Sequence, residues 1–442
     1  MSDETADTVD LTIDARWLAP IDPPGIVLDN HAVVVNAGRI VAVMPQDEAA
    51  HRFHPRRRKR LDRHLLIPGL VNLHTHAAMT LLRGLADDLP LMEWLAQHVW
   101  PAEAQHASAQ FVHDGTLLAC AEMLRGGITC FNDMYFFPRA AADAALAAGM
   151  RAAIGLIAVD FPSNYAADAD DYLAKGMAAR EQLLDETLLS FCLAPHAPYT
   201  LSDRSFAGVL TLAEQLDLPI HLHLHETNDE IDDSLRRFGT RPIERLRRLG
   251  VLGPGLIAVH AVHLNDSEIQ LLAEHGCSIA HCPSSNLKLA SGIAPLRRLV
   301  ECGVNVGLGT DGAASNNRLD LFQEMRLAAL LAKQHSGRAD AVDAHRVLHM
   351  ATLGGARALG LDAEIGSITV GKAADLCAVD LADIALVPCY DPVSHLTYAA
   401  GREHVSDVWV AGRPRVEDGQ LIENNETGLI RLALLWQNKI RR

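Results

Sequence analysis

Two histidines one residue apart, His74 and His76, end an apolar run that spans residues 65–76. Side chains on an extended strand alternate with a period of two, so both imidazoles point to the same side. Imidazole nitrogen is a ligand that suits zinc, iron and nickel. The pair is therefore a candidate metal site, although such a pair also arises by chance in a chain with 22 histidines.

Further ligands should come from other strands, because a catalytic zinc ion takes three protein ligands and keeps a position open for water. One apolar run carries His221, His223 and His225, and the period of two directs all three to the same side. Spacing alone does not choose among them. Asp311, between glycines at the end of another run, is a further candidate, with a turn or helix cap as the alternative interpretation.

Strands must hold these side chains, and the chain supplies eight short apolar runs that alternate with Ala/Leu-rich helical segments. Strands that are almost continuously apolar and separated by helices form parallel sheets covered on both faces. Eight such units predict an α/β fold, a closed (β/α)8 TIM barrel. The runs are 65–76, 127–133, 151–160, 188–196, 218–226, 256–263, 277–286 and 304–311.

Polar residues concentrate at the C-terminal ends of these runs. In a (β/α)8 barrel that end carries the active site, whereas the other end serves stability. The pattern therefore predicts the position of a site as well as a fold. The residues concerned are His74, His76, Asp133, Asp160, His196, His223, Glu226, His260, His263, His281 and Asp311.

The two ends of the chain differ from the barrel. Residues 10–65 and 366–423 show short strands joined by turn signals, and neither segment has enough strands to close a core alone. Together they predict one small β-sandwich domain formed by both chain ends, followed by a terminal helix. The predicted domains are 1–65 (first part of the sandwich), 66–365 (catalytic barrel) and 366–442 (second part of the sandwich plus the helix).

The composition restricts the partners. A net charge of −16 argues against nucleic acid and against an anionic membrane, and a small-molecule substrate fits better. Eight cysteines without Cys-x-x-Cys spacing predict free thiols in a reducing compartment. The acidic stretch 1–5 and the lack of a long uncharged apolar run predict a cytoplasmic protein. The basic run 56–60 is interpreted as a solvated turn between strands.

The chain resembles the amidohydrolase superfamily, and within it the branch of 5′-methylthioadenosine/S-adenosylhomocysteine deaminases and triazine hydrolases. Matching segments include Pro-Gly-Leu-Val-Asn-Leu-His-Thr-His at 68–76, His-Leu-His-Glu at 223–226 and Gly-Thr-Asp-Gly at 309–312. They recur in order across nearly the whole chain and are specific as a set. The other segments are 82–89, 100–103, 195–199, 259–263 and 283–289.

The resemblance implies that His74, His76, His223 and Asp311 bind one divalent metal ion per subunit, Zn²⁺ first and Fe²⁺ as the alternative. Members with two metal ions use a carboxylated lysine or another bridge at strand four. The fourth run has His196 and no lysine. A site for a single metal ion is therefore expected.

The same resemblance assigns roles in catalysis and substrate binding. Glu226 would carry a proton to the ring nitrogen of a heteroaromatic substrate, and His260 would orient the attacking hydroxide. Asp311 would also take up the proton of that hydroxide. Glu103 would bind ribose hydroxyls, with a solvated helix position as the alternative. His196 would contact the purine or the sugar.

One departure from the family bears on the substrate. Relatives often place an arginine near the end of strand three to meet the far end of the substrate, whereas residues 155–159 contain none. A substrate with a carboxylate tail would lose a partner. The predicted activity is therefore zinc-dependent hydrolytic deamination of an adenosine-type nucleoside: 5′-methylthioadenosine first, then adenosine or S-adenosylhomocysteine.

Two kinds of alternative remain. Within the superfamily they are an s-triazine hydrolase or chlorohydrolase and a guanine or cytosine deaminase; outside it, a non-catalytic barrel scaffold. The resemblance also implies a homo-oligomer, a dimer or tetramer. Other conspicuous residues are interpreted as structural: His221, His225, His263, His281, Trp94, Trp100, Asn286 and Lys288.

Overall fold

The computed structural model describes residues 7–423 and 425–441, so the acidic stretch 1–5 lies outside the described residues. The described strands form two eight-stranded sheets. One is parallel and curves into a barrel, and the other is built from both ends of the chain. The predicted (β/α)8 barrel with a β-structure from both chain ends is therefore confirmed.

The strands follow one another in three groups. Before the barrel lie β1 (Asp7–Leu18), β2 (Leu28–Asn36), β3 (Arg39–Pro45) and β4 (Phe53–Pro68). The barrel contains β5 (Leu70–Thr75), β6 (Ile128–Tyr135), β7 (Arg151–Ala158), β8 (Leu189–Pro195), β9 (Ile220–Leu224), β10 (Leu256–His260), β11 (Ser278–His281) and β12 (Asn305–Leu308). After it come β13 (Leu376–Asp380), β14 (Val405–Val410), β15 (Arg413–Glu417) and β16 (Gln420–Leu421). Each of the eight predicted runs overlaps one barrel strand.

Most helices cover the outside of the barrel and its mouth, and the first one packs on the outer sheet against β2, β3 and β4. The longer ones are α1 (Gln46–Arg52), α3 (Trp100–His106), α4 (Ala109–Arg125), α5 (Pro138–Ala148), α6 (Ala169–Glu181), α7 (Asp203–Leu216), α8 (Asn228–Phe238), α9 (Pro242–Leu249), α10 (Asp266–Glu274), α13 (Leu321–Ser336), α16 (Pro392–Tyr398) and α17 (Glu426–Ile440). Short ones are α2 (Leu91–Trp94), α11 (Pro283–Lys288), α12 (Leu296–Glu301), α14 (Ala344–His349) and α15 (Gly355–Ala358). Further turns of 3₁₀ or π type span Ala77–Leu82, Leu95–Val99, Met350–Gly354, Ile384–Leu386 and Arg402–His404.

The barrel closes where β12 meets β5. The side chain of Asn72 bridges this seam: its Oδ1 accepts from the main-chain N of Thr310 at 2.9 Å, and its Nδ2 donates to Oγ1 of Thr310 at 2.8 Å. The main-chain N of Asp311 donates to O of His74 at 2.9 Å. Two predicted ligands are therefore joined directly through the seam.

The chain passes from the outer sheet into the barrel at Gly69. The main-chain N of Gly69 donates to O of Asp375 at 2.8 Å, and a Cβ at this position would collide with the side chain of Thr129. Only glycine fits this close approach. The apolar run 65–76 is consequently shared by two strands, and only its second half, β5, carries the histidine pair into the barrel.

The outer sheet combines both chain ends around β4. This strand is parallel to β1 on one side and antiparallel to β13 on the other, with Leu376 opposite Pro68. Ile13, Leu61 and Trp409 belong to the apolar cluster on this sheet. Because that core needs residues from both ends, neither end would bury it alone.

The interpretation of the basic run 56–60 as a solvated turn is wrong. These residues lie inside β4, and four of the five side chains pair with carboxylates. The pairs are Arg56 with Asp10, Arg57 with Glu417, Arg58 with Asp14, and Lys59 with both Asp407 and Asp418. The run therefore holds the β14–β15 hairpin and β1 against β4.

Among the described helices, none is long and apolar enough to cross a lipid bilayer. The eight cysteines are free thiols, as predicted. The domain boundaries at 65/66 and 365/366 stay predictions.

Candidate active site

A cavity opens at the C-terminal ends of the barrel strands, where this fold places active sites. Its walls contain all but one of the predicted site residues, namely His76, Glu103, His196, His223, Glu226, His260 and Asp311. The remaining one, His74, is completely buried. The structure therefore brings the whole predicted set to one place.

His74 and His76 lie at the end of β5, and each has one ring nitrogen held by a neighbour. Nδ1 of His74 lies 2.9 Å from Nε2 of His221, and Nδ1 of His76 lies 2.6 Å from O of Met134. A carbonyl oxygen only accepts, so His76 donates from Nδ1 and its Nε2 keeps a free lone pair. The Nε2 atoms of both histidines lie 3.3 Å from Oδ1 of Asp311.

His223 turns the same nitrogen towards this point. Its Nδ1 donates to O of His196 at 2.7 Å, and its Nε2 lies 3.3 Å from Nε2 of His74. The carbonyl of His196 also accepts from the main-chain N of His223 at 3.0 Å. One main-chain oxygen at the end of β8 thus fixes both the strand and the ring of the proposed ligand.

The structure separates the other two histidines of this strand from His223. His221 is completely buried and contacts His74 from below. His225 follows the end of β9 with φ +55°, so the alternation of the strand no longer applies to it. Its Nε2 accepts from the main-chain N of Ile243 at 3.2 Å, on the side of α9. Both residues therefore have structural contacts, in agreement with the sequence interpretation.

Asp311 follows β12 with φ +59°, a conformation that is uncommon for residues other than glycine. Oγ of Ser285 donates to its Oδ2 at 2.6 Å, and the main-chain N of Gly312 donates to its Oδ1 at 2.7 Å. These contacts hold Oδ1 against the imidazoles of His74 and His76.

His260 and Glu226 face each other across the cavity. Nδ1 of His260 lies 2.9 Å from Oδ1 of Asn286, and its Nε2 lies 3.9 Å from Oε2 of Glu226. Because an amide oxygen only accepts, Nδ1 of His260 donates and Nε2 is free to face the cavity. Asn286, which the sequence analysis groups with the structural residues, therefore orients His260.

These atoms lie close enough together to hold one ion. Ligand atoms of His74, His223 and His260 lie within 4.8 Å of one another, and so do those of His74, His76 and Asp311. Neutral imidazole nitrogens with a carboxylate oxygen are a donor set that zinc and iron take in proteins. The residues present therefore fit one divalent metal ion.

The charges also fit a cation. Burial lowers the pKa of His74 to about 4 and that of His196 to about 3, and it places the pKa of His223 well below its usual value. Burial opposes ionisation of Asp311, but the hydrogen bond from His74 and the neighbouring imidazoles hold its pKa well below the usual range. At neutral pH His74, His196 and His223 are therefore neutral and Asp311 is ionised.

Glu226 differs from Asp311 in its protonation. Burial raises the pKa of the Glu226 carboxyl, and the neighbouring His260 offsets only part of this effect. A carboxyl group that keeps its proton closer to neutral pH is suited to general acid catalysis. The pKa values of Glu226 and Asp311, two carboxyl groups in one cavity, are therefore shifted in opposite directions.

Glu103 lies on α3 and receives a hydrogen bond from the hydroxyl of Tyr135 at 2.7 Å. Burial raises the pKa of Glu103. Nδ2 of Asn164 donates to O of Ala104 at 2.8 Å and thereby fixes the end of this helix. Tyr135 was missed because the second run was predicted to end at Asp133, whereas β6 continues for two more residues.

The rest of the cavity wall is apolar and aromatic. It includes Trp94 and Trp100 from the segment above the mouth, Phe136 after β6, and Phe161 after β7. A second cavity adjoins it and shares Trp100, Phe136, Phe161 and Glu103. The described lining of both cavities contains neither lysine nor arginine. The part of the wall beyond Glu103 therefore offers no cationic partner to a charged substituent.

Comparison with known proteins finds one family model and relatives that cover most of the chain. Residues 65–415 match the amidohydrolase family. A 5-methylthioadenosine/S-adenosylhomocysteine deaminase of Saccharophagus degradans is 44% identical over 432 residues, which cover 98% of this chain and 97% of that protein. A 5′-deoxyadenosine deaminase of Methanothermobacter thermautotrophicus is 45% identical over 369 residues, 84% of this chain and 86% of that protein.

Among solved structures, an adenosine deaminase from Xanthomonas campestris with bound zinc superimposes with a TM-score of 0.98 at 50% sequence identity. The match covers 99% of each chain. With the family match over most of the length and relatives above 40% identity, the chain belongs to the amidohydrolase family.

Proposed function

We propose that this protein is a zinc-dependent hydrolase that deaminates an adenosine-type nucleoside, with 5′-methylthioadenosine as the first candidate, to the inosine analogue and ammonia. The observation that carries the proposal is the convergence of imidazole Nε2 atoms and the Asp311 carboxylate beside Glu226, a second buried carboxyl whose pKa is raised by burial. The three relatives described above are named as nucleoside deaminases, which supports the same activity.

His74, His76, His223 and Asp311 would hold one zinc ion. A bound zinc ion lowers the pKa of water from 15.7 to about 7, which makes hydroxide available at neutral pH. The zinc in the similar adenosine deaminase supports this choice of metal. His196, at the position where a bridging lysine would stand, supports a single ion, because a neutral imidazole does not bridge two cations.

The chain's own groups handle the protons. His260, held through Asn286, would orient the attacking hydroxide towards the ring carbon that bears the amine, and Asp311 would take up its proton. Glu226 would deliver a proton to the adjacent ring nitrogen, so that negative charge does not build up on the ring. Proton transfer of this kind contributes roughly 10²- to 10⁴-fold to a rate. Asp311 would then pass the proton it took from the hydroxide to the amine, the carbon–nitrogen bond would break, and ammonia would leave.

Glu103 and His196 would bind the nucleoside. The carboxylate of Glu103 offers an acceptor to ribose hydroxyls, and the hydrogen bond from Tyr135 leaves one of its oxygens for the substrate. The aromatic wall beyond Glu103 suits an uncharged 5′ substituent such as a methylthio group. A carboxylate tail, as in S-adenosylhomocysteine, would meet no cation in that wall.

The test is ammonia release by the zinc-loaded protein with 5′-methylthioadenosine, adenosine, S-adenosylhomocysteine, guanine, cytosine and melamine, compared by kcat/KM. The proposal expects the highest value for 5′-methylthioadenosine. Glu226→Gln should keep one zinc ion per subunit and lower ammonia release roughly 10²- to 10⁴-fold; near wild-type turnover of this variant would contradict the mechanism. Activity confined to triazines or free bases would leave the metal chemistry intact and remove the substrate roles of Glu103 and His196.

A further inference from the structure

A second buried glutamate holds the main chain of Glu226. Oε1 of Glu230 accepts from the main-chain N of His225 at 3.0 Å, and its Oε2 accepts from the main-chain N of Glu226 at 2.9 Å. From the opposite side, O of His225 accepts from the main-chain N of Val262 and of His263, each at 3.0 Å. The peptide that leads into Glu226 is therefore held between the start of α8 and the end of β10.

This clamp enforces an unfavourable backbone. His225 has φ +55°, and such a conformation in a residue with a bulky side chain persists only where its surroundings enforce it. The left-handed residue turns the chain after β9 so that the next side chain, Glu226, enters the cavity. The two bonds to Glu230 are therefore made to the residues that set the direction of the Glu226 side chain.

Helix capping does not account for Glu230. Oγ1 of Thr227 already accepts from the main-chain N of Glu230 at 3.3 Å and caps α8. Glu230 reaches back past this cap to the two residues before it. Its side chain is 6% exposed, and the ion pairs found among the described residues do not include it. Burial raises the pKa of Glu230 to about 8, and the hydrogen bonds from the main chain of His225 and Glu226 act against this rise.

We propose that Glu230 is a positioning residue that acts through Glu226, by fixing the two main-chain N–H groups from which the Glu226 carboxyl is directed at the substrate. The inference rests on the proposed function, because Glu226 is the acid of that reaction. It adds a residue four positions further along the chain that touches neither the substrate nor the proposed metal ligands.

The first test needs no turnover. In Glu230→Gln the carboxamide presents one oxygen and one NH₂ group, so one of the two main-chain N–H groups faces a donor instead of an acceptor. Amide hydrogen exchange of the full-length, zinc-loaded protein, followed by mass spectrometry on the peptide 222–230, should be at least about tenfold faster in this variant. Unchanged protection of this peptide would overturn the proposal, whatever the substrate is.

The second test is kinetic. Displacing an acid by about 1 Å costs on the order of 10²-fold in rate, so Glu230→Gln should lower kcat about 10- to 100-fold, with KM within about threefold and bound zinc unchanged. The double variant Glu226→Gln/Glu230→Gln should be no slower than Glu226→Gln alone, since Glu230 acts only through Glu226. If the losses of rate in the two single variants multiplied in the double variant, the proposal would be overturned. A wild-type protein that deaminates none of the nucleosides would refute the proposed function and leave the exchange test valid.

Asp171 provides a matched control. It occupies the same place in α6, three residues after the N-cap Asp168, and its Oδ2 accepts from the main-chain N of Ala167 at 2.9 Å. Asp171→Asn likewise changes the carboxylate of a backward bond into a carboxamide, at a distance from Glu226, and it also removes the ion pair between Asp171 and Lys175. Its kcat should equal that of the wild type. An equal loss in Asp171→Asn and Glu230→Gln would make the effect a general one of helix starts and overturn the assignment.

Discussion

Nε2 of His221 lies 2.9 Å from Nδ1 of His74, and both imidazoles are completely buried. The contact joins β9 to β5 directly beneath the proposed metal ligands. A histidine ligand is held in one tautomer and one orientation by the group on its other ring nitrogen. His221 therefore supports the proposed site from below, without facing the cavity itself.

Replacing His221 with leucine should lower zinc affinity about 10- to 100-fold, the usual effect of losing the group behind a histidine ligand. Competition with a chromogenic chelator measures this affinity. His281→Leu is the control, because His281 is also buried on a barrel strand and lies outside the proposed ligand set. Equal losses of affinity in both variants would contradict a specific role for His221.

Glu324 gives a prediction about pH. It is completely buried in α13, where it accepts from the main-chain N of Ser284 at 3.0 Å and from Nδ2 of Asn316 at 2.9 Å. Burial raises its pKa from 4.5 to about 7. A raised carboxyl pKa means that the folded state holds the proton more tightly than the unfolded state. Its stabilising contribution is therefore complete below pH 4.5 and is lost as the pH rises through 7.

Glu324→Gln, which remains uncharged, should consequently gain stability relative to the wild type when the pH is raised from 5 to 8. Urea unfolding of both proteins at the two pH values measures the difference in the free energy of unfolding. The free energy of unfolding of Glu324→Gln minus that of the wild type should be more positive at pH 8 than at pH 5. A difference that is independent of pH, or that falls, would contradict the burial of an ionisable group at this position.

The contact between Glu103 and Tyr135 predicts how the enzyme recognises ribose. Glu103→Gln should lower kcat/KM for adenosine-type nucleosides about 10- to 100-fold, because hydrogen bonds to a charged partner are worth roughly 1.5–3 kcal/mol. Tyr135→Phe should have a smaller effect in the same direction, since it only releases the Glu103 carboxylate. Steady-state kinetics with adenosine and with free adenine distinguish a contact to the ribose from a contact to the base. A loss of equal size for the free base would contradict a ribose contact.

The sequence predicted the eight barrel strands because nearly continuous apolar runs are what a sheet buried on both faces requires. It did not distinguish His221, His223 and His225, because strand alternation holds only as far as the strand extends. The strand ends at Leu224, and the left-handed backbone at His225 depends on Glu230 and on the end of β10. Such contacts are between residues that no spacing rule connects.

The basic run was misinterpreted for a related reason. A row of arginines and a lysine is typical of a solvated turn when it is considered alone. Its partners, among them Asp14, Asp407 and Glu417, come from opposite ends of the chain and meet it only in the folded sheet. Long-range charge pairing of this kind is a property of the fold.

Phe161 lies where the two cavities meet and is 43% exposed, so it is accessible to the far end of a bound nucleoside. Phe161→Arg would place a guanidinium group in a wall that otherwise lacks a cation, and guanidinium pairs well with a carboxylate. The ratio of kcat/KM for S-adenosylhomocysteine to that for 5′-methylthioadenosine should therefore rise at least about tenfold.

Phe161→Met is the control for the loss of the aromatic ring. It should change kcat/KM for both nucleosides by the same factor. Steady-state ammonia release with the two nucleosides measures the ratio. If Phe161→Arg and Phe161→Met shifted the ratio equally, the missing cation would not be what discriminates between the substrates. A rise confined to Phe161→Arg would mean that the charge of this wall, rather than its shape, excludes the carboxylate tail.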